Sequence, residues 1–119
     1  MIQPGGGSDS AGEQVAAGIE AAQGPGAARF VPGDLADLDA LRDLVAGLAA
    51  EHGQIDILVN NAAIYPSKPF GEYTTPEWQA VQRINVDAAF VCAQSVVPGM
   101  RAAGSGRIVN IVSITLFGG

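Results

Sequence analysis

The sequence is short of positive charge: six Lys and Arg face twelve Asp and Glu in 119 residues, for a formal net charge of −6. Such a chain has no basic surface to gather the phosphates of nucleic acid or anionic lipid, so neither is expected as a partner. Cysteine is nearly absent. The one thiol, Cys92, cannot close an internal disulfide, and with a single His there is no Cys/His cluster, so no metal is expected. No apolar run approaches the roughly 18 residues of a membrane span, and no basic-then-apolar leader opens the sequence. A reducing, cytoplasmic location is expected. Charged residues are sparse too, at 15% against 48% hydrophobic, which excludes a disordered chain and suits one small, tightly packed domain rich in Gly and Ala.

Residues 1–12 (MIQPGGGSDSAG) have no apolar periodicity and are expected to be a disordered N-terminus, leaving 13–119 as the domain. In Glu13–Gln23, Val15, Ile19 and Ala22 fall at helical spacing, and Gly24-Pro25-Gly26 ends the run. Ala28–Pro32 reads as a short strand before the turn at Gly33-Asp34. Asp37 is placed to cap a helix from about Leu38 to His52, with Leu38, Leu41, Val45 and Leu48 on one stripe and Gly53 as its stop. Ile55–Val59 is a near-continuous apolar run, as in a parallel strand covered on both faces. Three prolines make Tyr65–Pro76 a loop. Thr75 is expected to cap the next helix, which carries Trp78 as a packing anchor, Val81, Ile84, Ala88 and Val91 and reaches Met100, with Cys92 as a buried, inert thiol. Arg107–Val112 reads as a second buried strand.

Strands alternating with helices of ten or more residues imply an α/β fold, a doubly wound parallel sheet with right-handed crossovers. Ligands of such sheets bind beyond the carboxyl ends of the strands, which singles out Asp34, residues 60–65 and residues 113–115. Those positions carry recognisable motifs. Gly33-Asp34-Leu35, Asn60-Asn61-Ala62-Ala63, Asn85-Val86 and Gly106-Arg107-Ile108-Val109-Asn110-Ile111-Val112-Ser113 resemble, in order and spacing, the middle of a classical short-chain dehydrogenase/reductase. Each alone is weak, since Asn-Asn pairs and Asp-Leu turns are common. All four in register, from about Glu13 to Gly119, are specific.

The resemblance implies a partial Rossmann-like sheet and oxidoreductase chemistry with NAD or NADP on a small carbonyl or alcohol substrate. It implies that Asp34 and Leu35 meet the adenine end of the cofactor, Asp34 through an acceptor-only carboxylate. Asn61, Ala62 and Ala63 would lie against the ribose, with Ala63 in place of the family's usual glycine, while the asparagines brace the sheet. Asn85 and Ser113 would be catalytic, Asn85 kinking its helix and holding a water through its carbonyl, Ser113 polarising the substrate carbonyl. Ile64, Tyr65, Thr115 and Leu116 would line the substrate pocket. Read without the family, Asp34 is a turn residue, Asn85 a surface asparagine and Ser113 a cap.

Two elements of the family pattern have no match here. The glycine-rich phosphate loop is one, because Gly5-Gly6-Gly7 follows no strand. The catalytic Tyr-x-x-x-Lys is the other: Tyr65 and Lys68 are three apart among prolines and are rejected as a substitute. The family's strand order, 3-2-1-4-5-6-7, makes Ala28–Pro32 the third strand and Ile55–Val59 the fourth, so they are not neighbours. Without the first two strands the fourth has an open edge. The chain alone is therefore expected to be inactive and molten, aggregating or self-pairing, a fragment of a parent protein that is a homo-oligomer. The alternative is a shortened, non-catalytic relative that binds a nucleotide or a partner.

Overall fold

The computed structural model describes residues 9–113. Thr115 and Leu116, Gly5–Gly7 and most of the expected N-terminal tail lie outside the described residues. Helix α1 spans Asp9–Gln23 and α2 Leu38–His52; strand β1 is Ile57–Asn60; a 3-10 turn occupies Phe70–Glu72; α3 is Thr75–Gln82, continued by a π-turn at Arg83–Asp87 into α4, Ala88–Ala103; strand β2 is Arg107–Asn110. The strands pair in parallel, Ile57 opposite Arg107 through Asn60 opposite Asn110. Their crossover runs through α3 and α4, as a parallel pair requires.

Local chemistry accounts for the helix ends. The Asp37 carboxylate accepts the Ala40 amide and Gly53 follows α2 at φ 82°, a conformation that suits glycine. Thr74, not Thr75, is the cap of α3. Its hydroxyl takes the Glu77 amide while the Glu77 carboxylate takes the Thr74 amide, a reciprocal capping box, and Pro76 sits in the first turn, where its missing N–H costs nothing. At the far end, α4 continues past Pro98 to Ala103, and Gly104 closes it at φ 70°.

The core lies between α2 and α4: Leu35, Leu41, Val45, Ala88, Val91, Cys92, Val96 and Met100 are buried, with Leu58 of β1 packed against them. Burial raises the pKa of Cys92, which suits the inert thiol expected there. Gly106 is a close-approach position, since a Cβ there would overlap the Met100 side chain. Across the sheet the picture reverses. Ile57 is 63% and Val59 55% exposed, and every residue of β2 is exposed. The expectation of strands covered on both faces is thus corrected: β1 alternates its side chains and is packed on one face, through Leu58, while β2 is exposed throughout. Ala28–Pro32 is likewise no strand. It has no ladder among the described residues, because a strand exists only through a neighbour. Arg29 is instead fixed by a bidentate pair to Glu51 of α2, at 2.7 and 2.9 Å.

Helix α1 starts at Asp9, so residues 9–12, expected to be disordered, are helical, and Gly12 is pressed against the Phe30 ring. Its apolar stripe is uncovered, with Val15 and Ile19 exposed. Trp78 is no packing anchor, being half exposed on a helix whose residues are nowhere buried.

Because Ile57 and Val59 already face water, replacing both by lysine is expected to leave the far-UV circular dichroism unchanged and to lower light scattering at high protein concentration. Loss of helical signal would show that this face is covered in solution.

Candidate functional site

The carboxyl ends of β1 and β2 are tied together by side-chain amides. Asn60 Nδ2 donates to Asn110 Oδ1 at 2.8 Å, directly across the register, and the Ile111 amide continues the ladder to the Asn60 carbonyl at 2.9 Å. Of the two expected bracing asparagines, Asn60 ties the strands together, with Asn110 as its partner. Ser113 follows three residues after β2 and is exposed.

Beyond β1 the chain passes through Asn61, exposed, Ala62, half-buried, and Ala63, exposed. It is then caught by Asn85. The Asn85 carboxamide accepts the Ile64 amide at 2.8 Å and donates to the Ile64 carbonyl at 3.0 Å, matching both groups of one peptide residue. Asn85 occupies the middle of the π-turn, the distortion expected of an asparagine at this point of the helix. Its role as a surface asparagine is excluded, since its side chain fastens the loop after β1 to the helix opposite.

The loop is held a second time further on. Tyr73 Oη donates to the Pro66 carbonyl at 2.7 Å, and Lys68 Nζ pairs with Glu77 Oε1 at 2.7 Å while standing 5.4 Å over the Tyr73 ring. The Lys68 contact, followed by the Thr74 amide and hydroxyl, holds the Glu77 pKa down at about 2. Tyr65 stays exposed between these fastenings, and Lys68 has the structural partner Glu77, so the pair shows no catalytic arrangement. This set was not read from the sequence. Only the Thr74/Glu77 spacing signals it locally.

Asp34 lies at the other side of the site. Its Oδ1 accepts the Ala36 amide at 2.8 Å in a turn that leads into Asp37 and α2, and it borders a shallow depression with Asp37, Leu38 and Arg83. The turn role and an acceptor role coexist, because a carboxylate in such a turn retains its second oxygen. The Leu35 side chain points elsewhere: it is buried in the core, so only its backbone is available to a ligand. His52 is at the end of α2, 3.9 Å from Glu51. No group of three or more metal-ligating side chains occurs among the described residues. Among them, also, no helix is long and apolar enough to cross a membrane.

A parallel βαβ crossover with small residues and asparagines at the strand ends is the architecture of a doubly wound α/β sheet. Comparison with known proteins gives the family: the profile of the short chain dehydrogenases matches residues 6–118, and the chain belongs to that family. Among its relatives, nodulation protein G of Azospirillum brasilense is 40% identical over 82 residues, 69% of this chain and 33% of the relative. The gluconate 5-dehydrogenase of Gluconobacter oxydans (strain 621H) is 41% identical over 81 residues, 68% of this chain and 32% of the relative. Of solved structures, a metagenomic short-chain oxidoreductase in complex with NADP superposes with a TM-score of 0.78 at 34% identity, covering 86% of this chain and 45% of that one. A short-chain dehydrogenase from Streptomyces avermitilis gives 0.75 at 30% identity, covering 84% and 36%. The chain therefore spans about a third of the curated relatives it matches, and under half of these solved chains.

Two outcomes check the loop geometry. Asn85→Ala removes both bonds to Ile64 and is expected to speed hydrogen exchange at the Ile64 amide about tenfold, as for loss of about 1.4 kcal/mol; an unchanged rate would mean the loop is held otherwise. Glu77 is held below its ordinary 4.5, so its clasp is complete above about 4.5 and is lost as the pH falls towards about 2. A carboxyl titration by NMR should show that low midpoint, and Lys68→Met should return it towards the ordinary value.

Proposed function

We propose that these residues form the central part of an NAD(P)-dependent oxidoreductase that interconverts an alcohol and a carbonyl on a small molecule. The observation that supports it best is the Asn85 clamp, which lies in the helix opposite the strand ends and fastens the loop after β1 beside them. The site suits a dinucleotide: Asp34 retains an acceptor oxygen for an adenine amino group, Ala62 and Ala63 leave the backbone after β1 accessible, and Asn61 stands exposed beside them. Asp34, the Leu35 backbone, Asn61, Ala62 and Ala63 are proposed to hold the cofactor. When bound, the nicotinamide would give or take the hydride exchanged with the substrate carbon.

Ser113 is proposed to donate its hydroxyl hydrogen to the substrate oxygen, polarising the carbonyl in reduction and steadying the alcohol in oxidation. Asn85 is proposed to act from the π-turn, its side chain locked on Ile64 and its main-chain carbonyl holding a water that passes the proton onward. The proton itself must come from another group. The 119 residues contain no tyrosine with a lysine four places later, so by themselves they are proposed to lack turnover. Ile64 and Tyr65 would face the substrate, and the Lys68–Glu77 clasp would fix the loop that bears them.

A graft tests this reading: residues 28–113 placed in the corresponding part of the Gluconobacter oxydans gluconate 5-dehydrogenase. The graft should oxidise a secondary alcohol with NAD+ or NADP+, and Ser113→Ala should lower kcat about 100-fold or more, as for loss of one preorganised donor to the reacting oxygen. A soluble graft whose rate is indifferent to Ser113→Ala would overturn the assignment. The 119-residue chain alone should show no saturable quenching of Trp78 fluorescence by NADH or NADPH. Saturable quenching would favour a nucleotide-binding protein without catalysis.

A further inference from the structure

A second surface depression lies at the opposite end of the strands, where α4 turns into β2. The turn Gly104-Ser105-Gly106 brings together Arg101 from the last turn of α4 and Arg107 from the first position of β2, beside a shallow groove floored by Val97 and Ile108. These are two of only six cationic side chains in a chain of net charge −6.

Hydrogen-bond donors are left over here. The Gly104 and Ser105 amides are spent on the Arg101 and Met100 carbonyls, and the Arg107 amide on Asp56. The Gly106 amide, the Ser105 hydroxyl and the Arg101 guanidinium have no partner among the described residues, and Arg107 uses one nitrogen on the Gly106 carbonyl. No carboxylate borders the groove. A surface that gathers donors of both side chain and backbone free of protein partners, with two positive charges and an apolar floor, is complementary to an oxyanion carried on an apolar chain.

We propose that the groove between Arg101 and Arg107 is a binding site for a carboxylate or phosphate group borne on an aliphatic chain, separate from the dinucleotide and substrate site at the other end of the sheet. The guanidinium groups, the Ser105 hydroxyl and the Gly106 amide take the oxyanion, and Val97 and Ile108 take the first methylenes. The proposal does not depend on the oxidoreductase reading.

The test is a titration of the whole chain at low ionic strength with octanoate, octyl phosphate, inorganic phosphate and octanol, followed by the methyl resonances of Val97 and Ile108. Octanoate, octyl phosphate or both should bind saturably and more tightly than octanol and inorganic phosphate, and the stronger of the two identifies the headgroup. Arg101→Gln and Ser105→Ala change exposed side chains outside the core, and Arg101→Gln should weaken binding about tenfold, as for one charge-assisted hydrogen bond. Arg107→Lys keeps the charge and loses the fork, and should weaken it less than Arg107→Gln. Equal binding of octanol, equal binding of inorganic phosphate, indifference to the arginine substitutions, or no saturable shift at those methyls would each overturn the proposal.

Discussion

A parallel pair of strands can satisfy its backbone only through neighbours, and here each strand has one. Every other feature of the fold is arranged around that constraint. Helices α2 and α4, with Leu35 just before α2, supply the buried core and pack on β1 through Leu58, while Ile57, Val59 and all of β2 face water and the outer edges of β1 and β2 have no ladder among the described residues. Parallel sheets are ordinarily covered on both faces, because their strands are apolar throughout. The apolar runs at Ile55–Val59 and Arg107–Val112 suit such a setting, yet here alternate residues of β1 and all of β2 are exposed.

The candidate site survives this because it is built from amides and not from depth of burial. Asn60 and Asn110 lock the register at the end of the strands, and Asn85 locks the departing loop at Ile64. An asparagine carries a donor and an acceptor, so it can match a backbone residue or another asparagine completely, with no charge to desolvate. Lys68 and Glu77 fasten the same loop by charge, at the surface, where neither ion loses much hydration. The result is a loop fixed at both ends with Tyr65 left exposed between them.

Much of this was legible in the sequence wherever the signal is local. Asp37 and Gly53 mark the ends of α2, Asp37 through its bond to the Ala40 amide three residues on, and the helices and the two strands at Ile57–Asn60 and Arg107–Asn110 follow from periodicity. What was missed depends on distance along the chain. Asn85 and Ile64 are 21 residues apart and Arg29 and Glu51 22, and nothing in either segment names its partner. Ala28–Pro32 was misread for the same reason: its composition suits a strand, but a ladder is a property of two segments. Thr74 and Thr75 look alike in the sequence, and only the reciprocal bond to Glu77 shows that Thr74 is the cap. Three of the four motifs fall on a strand or its end or on the helix distortion, at Asn60, Asn85 and Arg107–Asn110, while Asp34 sits in the turn before α2.

If the uncovered sheet governs the behaviour of these 119 residues, their stability should be low and poorly shared between the helical core and the strands. Differential scanning calorimetry of the chain, with far-UV circular dichroism over the same temperatures, measures this directly. The account predicts a broad transition with a calorimetric enthalpy well below the roughly 0.7 kcal/mol per residue of a packed domain. A sharp transition with equal calorimetric and van't Hoff enthalpies of that full size would contradict it, and would mean that the exposed face and open edges are satisfied in solution.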